Sequence, residues 1–238
     1  MTPRALVIHH LPLSADDAVI PALESAGYEL DHRFPIRGEP LPHPDDGHVL
    51  ALVHGSLADV TKHDAPGIAE EMRWIEAWWH AGRPYFGICH GLQLAAQLLG
   101  APVGPPDHGQ GEFGYYRLKS HEPELVPDGL YVFQWHHYGA GLPDGAKRLA
   151  ESDLYPNQII GFDRLRFGLQ CHAEMSLADQ ARLRAADPSG MAWPGAQRAA
   201  QQTAFAADHY RTMRRWMETF LRRWLDEIPG DSGTLIRT

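Results

Sequence analysis

The sequence of 238 residues contains two cysteines, and one of them, Cys89, lies in a setting that favours a reactive thiol. Residues 84–91 read PYFGICHG, so one glycine stands two positions before the cysteine and another two positions after it. A nucleophile at a tight turn between a strand and a helix needs such small neighbours, because the backbone there is crowded. The helix predicted to follow, His90–Leu99, would direct its dipole and free N–H groups at the sulfur, which favours thiolate over thiol. The pattern predicts a cysteine nucleophile, with the N–H of His90 as a donor to the oxyanion.

A thiol nucleophile needs a base, and the base needs an orienting group. Among the 15 histidines, His172 ends an apolar segment, and Glu174 follows it two positions later. In an extended segment both side chains point to the same face, so the carboxylate could hold the imidazole in one tautomer. A His-x-Glu spacing alone is a weak signal. The second cysteine, Cys171, has no glycine two positions before or after it. It is predicted to be a packed core thiol in the middle of a strand.

The elements around these residues alternate between strands and helices in the first hundred residues. The apolar run Gly47–Val53 is typical of a central parallel strand that is covered on both faces. The other predicted elements here are the strands Ala5–His10 and Pro84–Cys89 and the helices Ala15–Gly27, Pro66–Ala81 and His90–Leu99. The pattern predicts an α/β fold, in which a largely parallel, flavodoxin-like central sheet is flanked by helices in three layers.

After Pro106 the sequence changes to short strands with turn residues, which predict a small antiparallel or mixed extension of the sheet. These strands are Phe113–Lys119, Leu130–Trp135, Arg148–Glu151, Ile159–Asp163 and Phe167–His172. The chain then forms an amphipathic helix over about residues 205–228, with Arg214, Arg215, Arg222 and Arg223 opposite its apolar stripe. We expect that stripe to pack on the sheet or on a second copy of the chain in a homodimer. A membrane-surface helix is the less favoured alternative.

Composition excludes several classes of partner. With 30 acidic and 21 basic residues, the net charge of -9 provides no electrostatic footprint for a phosphate backbone, so nucleic acid is not expected to bind. No apolar run approaches the roughly 18 residues that cross a bilayer, which favours a cytoplasmic protein and no membrane partner. Neighbouring histidines such as His9 and His10 diverge on a strand, so no metal site is expected. We predict a single domain over residues 1–238.

Two segments together resemble the class I, or triad, glutamine amidotransferases, and especially the glutaminase domain of GMP synthase and its stand-alone relatives. Residues 87–93 (GICHGLQ) resemble the family motif Gly-x-Cys-x-Gly-x-Gln, and residues 168–174 (GLQCHAE) are similar to Gly-x-Gln-x-His-Pro-Glu. The order Cys, His, Glu also agrees, and the resemblance extends from about residue 5 to about residue 176.

The resemblance implies that Cys89 attacks the side-chain amide of glutamine and forms a γ-glutamyl thioester, with release of ammonia. His172 would protonate the departing amine and then activate water, while Glu174 orients it. The oxyanion donors would be the N–H groups of Ser56 and His90. The substrate-binding residues would be Gly55, Gln93, Glu112 and His136, and no cofactor is implied.

Several positions depart from the family pattern. Ser56 and Leu57 replace the second glycine and the proline of the oxyanion loop, and residues 136–138 read HHY where relatives commonly have His-Gly-Asp. Ala173 replaces the proline of the second motif, which removes backbone rigidity but no chemical group. The triad is kept, while the substrate-facing end of the pocket is expected to differ.

Three functions remain open at this stage. The last third has no Gly-rich phosphate loop, so an ammonia acceptor would be a separate synthetase subunit, or there would be none. The same triad could instead cleave a γ-glutamyl peptide or conjugate. A third alternative, a catalytically silent relative that binds a partner through its C-terminal helix, is disfavoured by the intact triad.

Overall fold

The computed structural model describes residues 2–12, 16–62 and 67–229, and the statements that follow concern those ranges. The helices are α1 (Val19–Ser25), α2 (Ile68–His80), α3 (His90–Leu98), α4 (Leu177–Ala186) and α5 (Ala199–Glu227). The strands are β1 (Arg4–Ile8), β2 (Glu29–Arg33), β3 (His48–Val53), β4 (Tyr85–Ile88), β5 (Val103–Gly104), β6 (Glu112–Arg117), β7 (Lys119–Ser120), β8 (Tyr131–His136), β9 (Gly139–Ala140), β10 (Lys147–Glu151), β11 (Ile159–Gly161) and β12 (Arg166–Leu169). Two short 3₁₀ segments are Pro35–Arg37 and Pro188–Ala192.

Eight strands form one central sheet in the order β2-β1-β3-β4-β12-β11-β10-β7. From β2 to β12 each neighbouring pair is parallel. From β12 to β7 each pair is antiparallel. The predicted α/β fold, with a largely parallel flavodoxin-like sheet and a small antiparallel extension, is therefore confirmed.

The sheet is covered on both faces because its central strands are apolar on both faces. In β1, Ala5 and Val7 join the cluster that includes α1 and α5, whereas Leu6 and Ile8 join the cluster that includes α2 and α3. Alternate residues of a strand point to opposite faces, so a continuous apolar run must be covered twice. Three layers result, with α1 and α5 on one side and α2 and α3 on the other.

Two details of the predicted extension were wrong. The strand predicted over Phe167–His172 spans Arg166–Leu169 and pairs in parallel with β4, so it belongs to the parallel part of the sheet. Cys171 and His172 therefore follow the strand and do not lie within it. In addition, β6 and β8 pair only with each other among the described residues and form a separate two-stranded sheet.

Among the α-helices and strands that were not predicted, α4 and β2 are the longest, and both lack an apolar signal. In α4 the buried residues are Asp179, Gln180 and Leu183, so no apolar stripe marks the helix. The edge strand β2, with sequence ELDHR, has no fully buried residue. Ala15 and Pro66, where two helices were predicted to begin, lie outside the described residues.

The C-terminal helix α5 packs on the central sheet, as one of the two favoured alternatives predicts. The ring of Phe220 lies 6.0 Å from that of Phe86 of β4. The indole N–H of Trp224 donates to the carbonyl of Leu165 at 2.9 Å. The helix begins at Ala199, earlier than predicted. Within the described ranges, no helix combines the length and the hydropathy of a membrane span.

Candidate active site

The candidate site lies at one edge of the sheet, where three neighbouring parallel strands end. Val53 of β3 pairs with Gly87 of β4, and Ile88 of β4 pairs with Leu169 of β12. The residues that follow these three strands therefore meet at the same edge, which is where ligands bind in open α/β sheets. Gly55 and Ser56 follow β3, Cys89 follows β4, and residues 170–174 follow β12.

Cys89 occupies the strained turn that its neighbours Gly87 and Gly91 predict. Its φ of 49° and ψ of -95° make it the one non-glycine residue with positive φ in the described ranges. A Cβ on Gly87 would lie 2.5 Å from the backbone carbon of Gly91, and a Cβ on Gly91 would lie 2.6 Å from the carbonyl oxygen of Val53. Both glycines are therefore required by close backbone contacts. Cys89 is also the N-cap residue of α3, so its sulfur lies at the positive end of the helix dipole.

His172 and Glu174 form a buried pair beside this cysteine. Nδ1 of His172 lies 2.9 Å from Oε1 of Glu174, and their side chains are 5% and 3% exposed. Because Nδ1 faces the carboxylate, Nε2 is the ring nitrogen left to interact with the Cys89 sulfur. Burial lowers the pKa of His172, but the negative charges of Glu174 and Cys89 outweigh it and raise that pKa to about 10. The arrangement favours an imidazolium next to the sulfur.

The other cysteine has a different environment. Cys171 is fully buried, and this burial, together with the charge of Glu174, raises the pKa of its thiol well above the usual value. A thiol that stays protonated is a poor nucleophile. Cys171 therefore has the properties predicted for a core residue, although it lies just after β12.

The loop after β3 approaches the pair closely. A Cβ on Gly55 would lie 2.6 Å from Cε1 of His172 and 3.5 Å from Cβ of Cys89, so the loop fits only because this position is glycine. Ser56 lines the same pocket as Cys89. His90 is the first residue of α3, where a backbone N–H has no acceptor within its own helix. Both predicted oxyanion donors thus belong to segments next to the sulfur.

Glu174 is held by two elements through its backbone carbonyl. That oxygen accepts from the N–H of Ala18 and from Nη1 of Arg214, each at 2.8 Å. Arg214 was predicted to lie opposite the apolar stripe of α5, yet its side chain is only 17% exposed and also donates to the carbonyls of Asp16 and Asp17. Helical periodicity assigned it to the polar face and could not show that this face meets another loop.

A carboxyl group lies behind Glu174. Asp17 accepts hydrogen bonds from the N–H groups of Val19 and Ile20 and so caps α1. Burial, with the charge of Glu174 as a further contribution, raises the pKa of Asp17 to about 7. Asp17, Gly55 and Glu174 line a cavity of about 230 Å³ that Cys89 does not reach.

Two glutamines connect the sulfur with the pocket. Gln170 donates from Nε2 to the Cys89 sulfur at 3.5 Å, and its Oε1 accepts from Nε2 of Gln93 at 3.2 Å. Gln93, which the resemblance predicts to bind substrate, lines the pocket, whereas Gln170 was not singled out from the sequence. Its position in the second matched motif was the available signal.

The pocket into which Cys89 opens has a volume of about 280 Å³, close to the lower end of the range for small-molecule sites. Its rim carries the stacked rings of His137 and Trp193, whose centroids lie 4.3 Å apart. Two carboxylates, Asp59 and Asp187, also line it. Burial raises the pKa of both, but hydrogen bonds from neighbouring groups outweigh it and hold both pKa values below the usual range, so both carry negative charge at neutral pH.

The remaining predicted substrate residues are placed differently from one another. His136 lines the pocket, with Nδ1 2.9 Å from the carbonyl of Tyr138. Glu112 is fully buried behind it, with Oε2 3.2 Å from Nε2 of His136 and 2.5 Å from Nε2 of Gln158. The structure thus brings Gln93, Ser56 and His136 to the pocket, and it places Glu112 against His136. Gly55 contacts His172 instead.

Comparison with known proteins gives a consistent result. The family profile described as glutamine amidotransferase class-I matches residues 49–185. The chain is 30% identical over 185 residues to the putative glutamine amidotransferase-like protein YfeJ of Salmonella typhimurium, an alignment that covers 73% of this chain and 77% of that protein. It is 35% identical over 150 residues to the glutamine-hydrolysing GMP synthase of Alkalilimnicola ehrlichii, covering 57% of this chain and 27% of that protein.

Two solved structures share the fold over almost the whole chain. A glutamine amidotransferase from Thermotoga maritima superposes with a TM-score of 0.83 at 24% identity, covering 95% of this chain and 99% of that one. A glutamine amidotransferase from Methylobacillus flagellatus superposes with a TM-score of 0.84 at 23% identity, covering 100% and 99% of the two chains. Because both sequence identities are below 25%, these superpositions support the fold assignment alone.

Proposed function

The chain belongs to the class I glutamine amidotransferase family, and we propose that it cleaves a γ-glutamyl amide through a thioester on Cys89. One observation supports this above the others. Cys89 lies in a strained turn at a helix N-terminus, beside a buried imidazole that is itself paired with a carboxylate. That combination activates a thiol and provides a proton donor in the same place.

In the first half-reaction the Cys89 thiolate attacks the γ-carbonyl carbon of the substrate. The carbonyl oxygen becomes an oxyanion, which the N–H groups of Ser56 and His90 stabilise. The tetrahedral intermediate collapses when the carbon–nitrogen bond breaks and the His172 imidazolium donates its proton to the leaving nitrogen. Ammonia, or an amine, leaves, and a γ-glutamyl thioester remains on Cys89.

In the second half-reaction water attacks the thioester carbon and His172 takes a proton from that water. The carbon–sulfur bond then breaks, which releases glutamate and restores the thiolate–imidazolium pair. Glu174 holds the imidazole through Nδ1 during both steps, so that Nε2 always faces the reacting atoms. Gln170 donates to the sulfur and so stabilises its thiolate form.

With glutamine as substrate, the released ammonia would be used by a separate synthetase. The chain aligns with only about a quarter of the GMP synthase it matches, 27% of that protein. We propose that the acceptor is activated on a separate synthetase subunit that docks near the pocket mouth, where Leu57 of the oxyanion loop is 49% exposed.

A second candidate function is hydrolysis of a γ-glutamyl conjugate whose leaving group is an amine larger than ammonia. The residues at the rim of the pocket support this candidate function. The His137–Trp193 stack and the carboxylates of Asp59 and Asp187 extend the site beyond Cys89 and could contact a larger leaving group. A leaving group with a positive charge and an apolar part would contact both kinds of side chain.

Purified protein assayed with glutamine, with γ-glutamyl peptides and with γ-glutamyl amines separates the two functions. Release of ammonia from glutamine supports the first, and faster release of an amine supports the second. In either case Cys89→Ala should lower turnover by about 10³-fold or more, since the nucleophile is lost. Turnover that survives this substitution would contradict both.

A further inference from the structure

Three buried side chains converge near the nucleophile without taking part in the proposed reaction. His10 follows β1, Glu71 lies in the first turn of α2, and His90 begins α3. One ligand atom from each lies within 4.8 Å of the other two. We propose that these residues bind a divalent transition-metal ion, with Zn²⁺ as the best match, and that this ion anchors the first turn of α3.

Two of the three distances between ligand atoms are close to those around a small ion. Nε2 of His10 lies 2.9 Å from Oε2 of Glu71, and Nε2 of His90 lies 3.6 Å from the same oxygen. Tetrahedral zinc, with bonds of about 2.0–2.1 Å to nitrogen and oxygen, places its ligand atoms roughly 3.4 Å apart. Two imidazoles and one carboxylate are a ligand set that zinc uses when its fourth position is open to water.

Unpartnered polar atoms form the second, independent observation. Oε1 of Glu71 and both ring nitrogens of His90 are buried without a hydrogen-bond partner in the described structure. The two side chains are 2% and 1% exposed. A buried polar atom without a partner costs free energy, and a charged one costs more. A cation between these atoms would remove that cost for the carboxylate and for one nitrogen.

The orientation of His10 also agrees with a metal ligand. Its Nδ1 lies 3.2 Å from the carbonyl oxygen of His54. A carbonyl can only accept, so Nδ1 carries the proton, and Nε2 faces Glu71 with either a second proton or a free lone pair. Metal-binding histidines commonly donate their other N–H to a backbone carbonyl in this way. Without an ion, the same contact requires a proton between Nε2 and the carboxylate oxygen.

The position of the site suggests what the ion does. His90 is the residue after Cys89, and its side chain points away from the pocket toward Glu71. An ion held by His10, Glu71 and His90 would join the end of β1, the start of α2 and the start of α3. It would thereby fix the turn that presents the Cys89 sulfur and the N–H of His90.

Cobalt binding to the Cys89→Ala protein tests this proposal, because that variant removes the reactive thiol as a competing ligand. We expect one equivalent of Co²⁺, visible d–d bands of tetrahedral geometry and no sulfur-to-cobalt charge-transfer band, with displacement by Zn²⁺. In that background Glu71→Gln should weaken binding at least tenfold. The matched control Glu76→Gln, on an exposed position of the same helix, should leave it unchanged.

Zinc-edge X-ray absorption on the Cys89→Ala protein with one equivalent of Zn²⁺ provides a measurement that needs no ligand variant. Two imidazoles and oxygen around the ion support the site, and His10→Gln should then show one imidazole fewer. Failure to bind Co²⁺ or Zn²⁺, sulfur scattering, or equal binding by Glu71→Gln and Glu76→Gln would overturn the proposal. Glutaminase activity is not the readout, so these outcomes are independent of the proposed reaction.

Discussion

Nδ1 of His172 lies 2.9 Å from Oε1 of Glu174, and the charge of this carboxylate contributes to a His172 pKa of about 10 despite burial. Burial alone would deprotonate the ring, and a neutral imidazole could not donate a proton to the leaving nitrogen. The contact therefore sets the pH range over which the proposed first half-reaction can run.

Replacing Glu174 with Gln should lower the alkaline limit of the pH range in which the first half-reaction can run. Gln keeps the size and a hydrogen-bonding oxygen but removes the negative charge, so the pKa of His172 falls. The alkaline limb of kcat/KM against pH should shift to lower pH by at least about one unit. Profiles of kcat/KM for the parent protein and Glu174→Gln over pH 6–11 measure this shift. An alkaline limb that stays at the same pH would contradict the role given to Glu174.

Gly55→Ala should displace His172 and leave the fold intact. The new Cβ would lie 2.6 Å from Cε1 of His172, so the ring or the loop must move. A misplacement of about 1 Å at a reacting group can cost about 10²-fold in rate, and we expect a loss of that size in kcat. Gly104→Ala is the matched control, because a Cβ there meets nothing within 4 Å. Equal kcat values in the two variants would contradict the close approach.

Arg214→Met should lower both stability and kcat, whereas Arg215→Met should change neither. Arg214 donates to the carbonyls of Glu174, Asp16 and Asp17, and Arg215 is exposed on the same turn of α5. Loss of hydrogen bonds from a charged group costs about 1.5–3 kcal/mol, which urea unfolding can resolve. We expect kcat to fall with little change in KM, since Arg214 positions Glu174 and does not contact the pocket. A change in KM alone would contradict this.

The raised pKa of Asp17 leads us to expect that the stability of the protein depends on pH. The pKa of this carboxyl is raised from 3.8 to about 7, so between those values the folded state binds more protons than the unfolded state. The free energy of unfolding should therefore fall as pH rises from about 4 to about 7. Asp17→Asn keeps an oxygen to cap α1 and cannot ionise, so it should be more stable than the parent at pH 8 by at least about 1 kcal/mol. Urea unfolding at pH 4 and pH 8 measures the difference, and identical pH dependence in both proteins would refute the assignment.

Local patterns were enough to predict the turn at Cys89, because its requirements lie within a few residues of the cysteine. Gly87 and Gly91 are needed for contacts that any strand-turn-helix of this kind must make. The spacing of His172 and Glu174, together with the resemblance of residues 168–174 to the second family motif, indicated a pair that the structure brings together, although the segment is a turn and not a strand.

Features that depend on distant segments could not be predicted in this way. Helical periodicity placed Arg214 with Arg215 on one polar face, and only tertiary packing shows that Arg214 reaches Glu174. The cluster of His10, Glu71 and His90 combines three elements far apart in the sequence, so no local metal-binding spacing marks it. The side chains of adjacent histidines such as His9 and His10 point in different directions, which led us to expect no metal site. The other two residues of the cluster come from α2 and α3.

The most direct test of the central claim is the reaction of the protein with a glutamine-derived electrophile at neutral pH, followed by peptide mass spectrometry. Cys171 provides an internal control, because it is fully buried with a raised thiol pKa. We predict one covalent adduct per chain, on Cys89, that forms more slowly in Glu174→Gln and is protected by excess substrate. No adduct at neutral pH, or an adduct on Cys171, would contradict the assignment of Cys89 as the nucleophile.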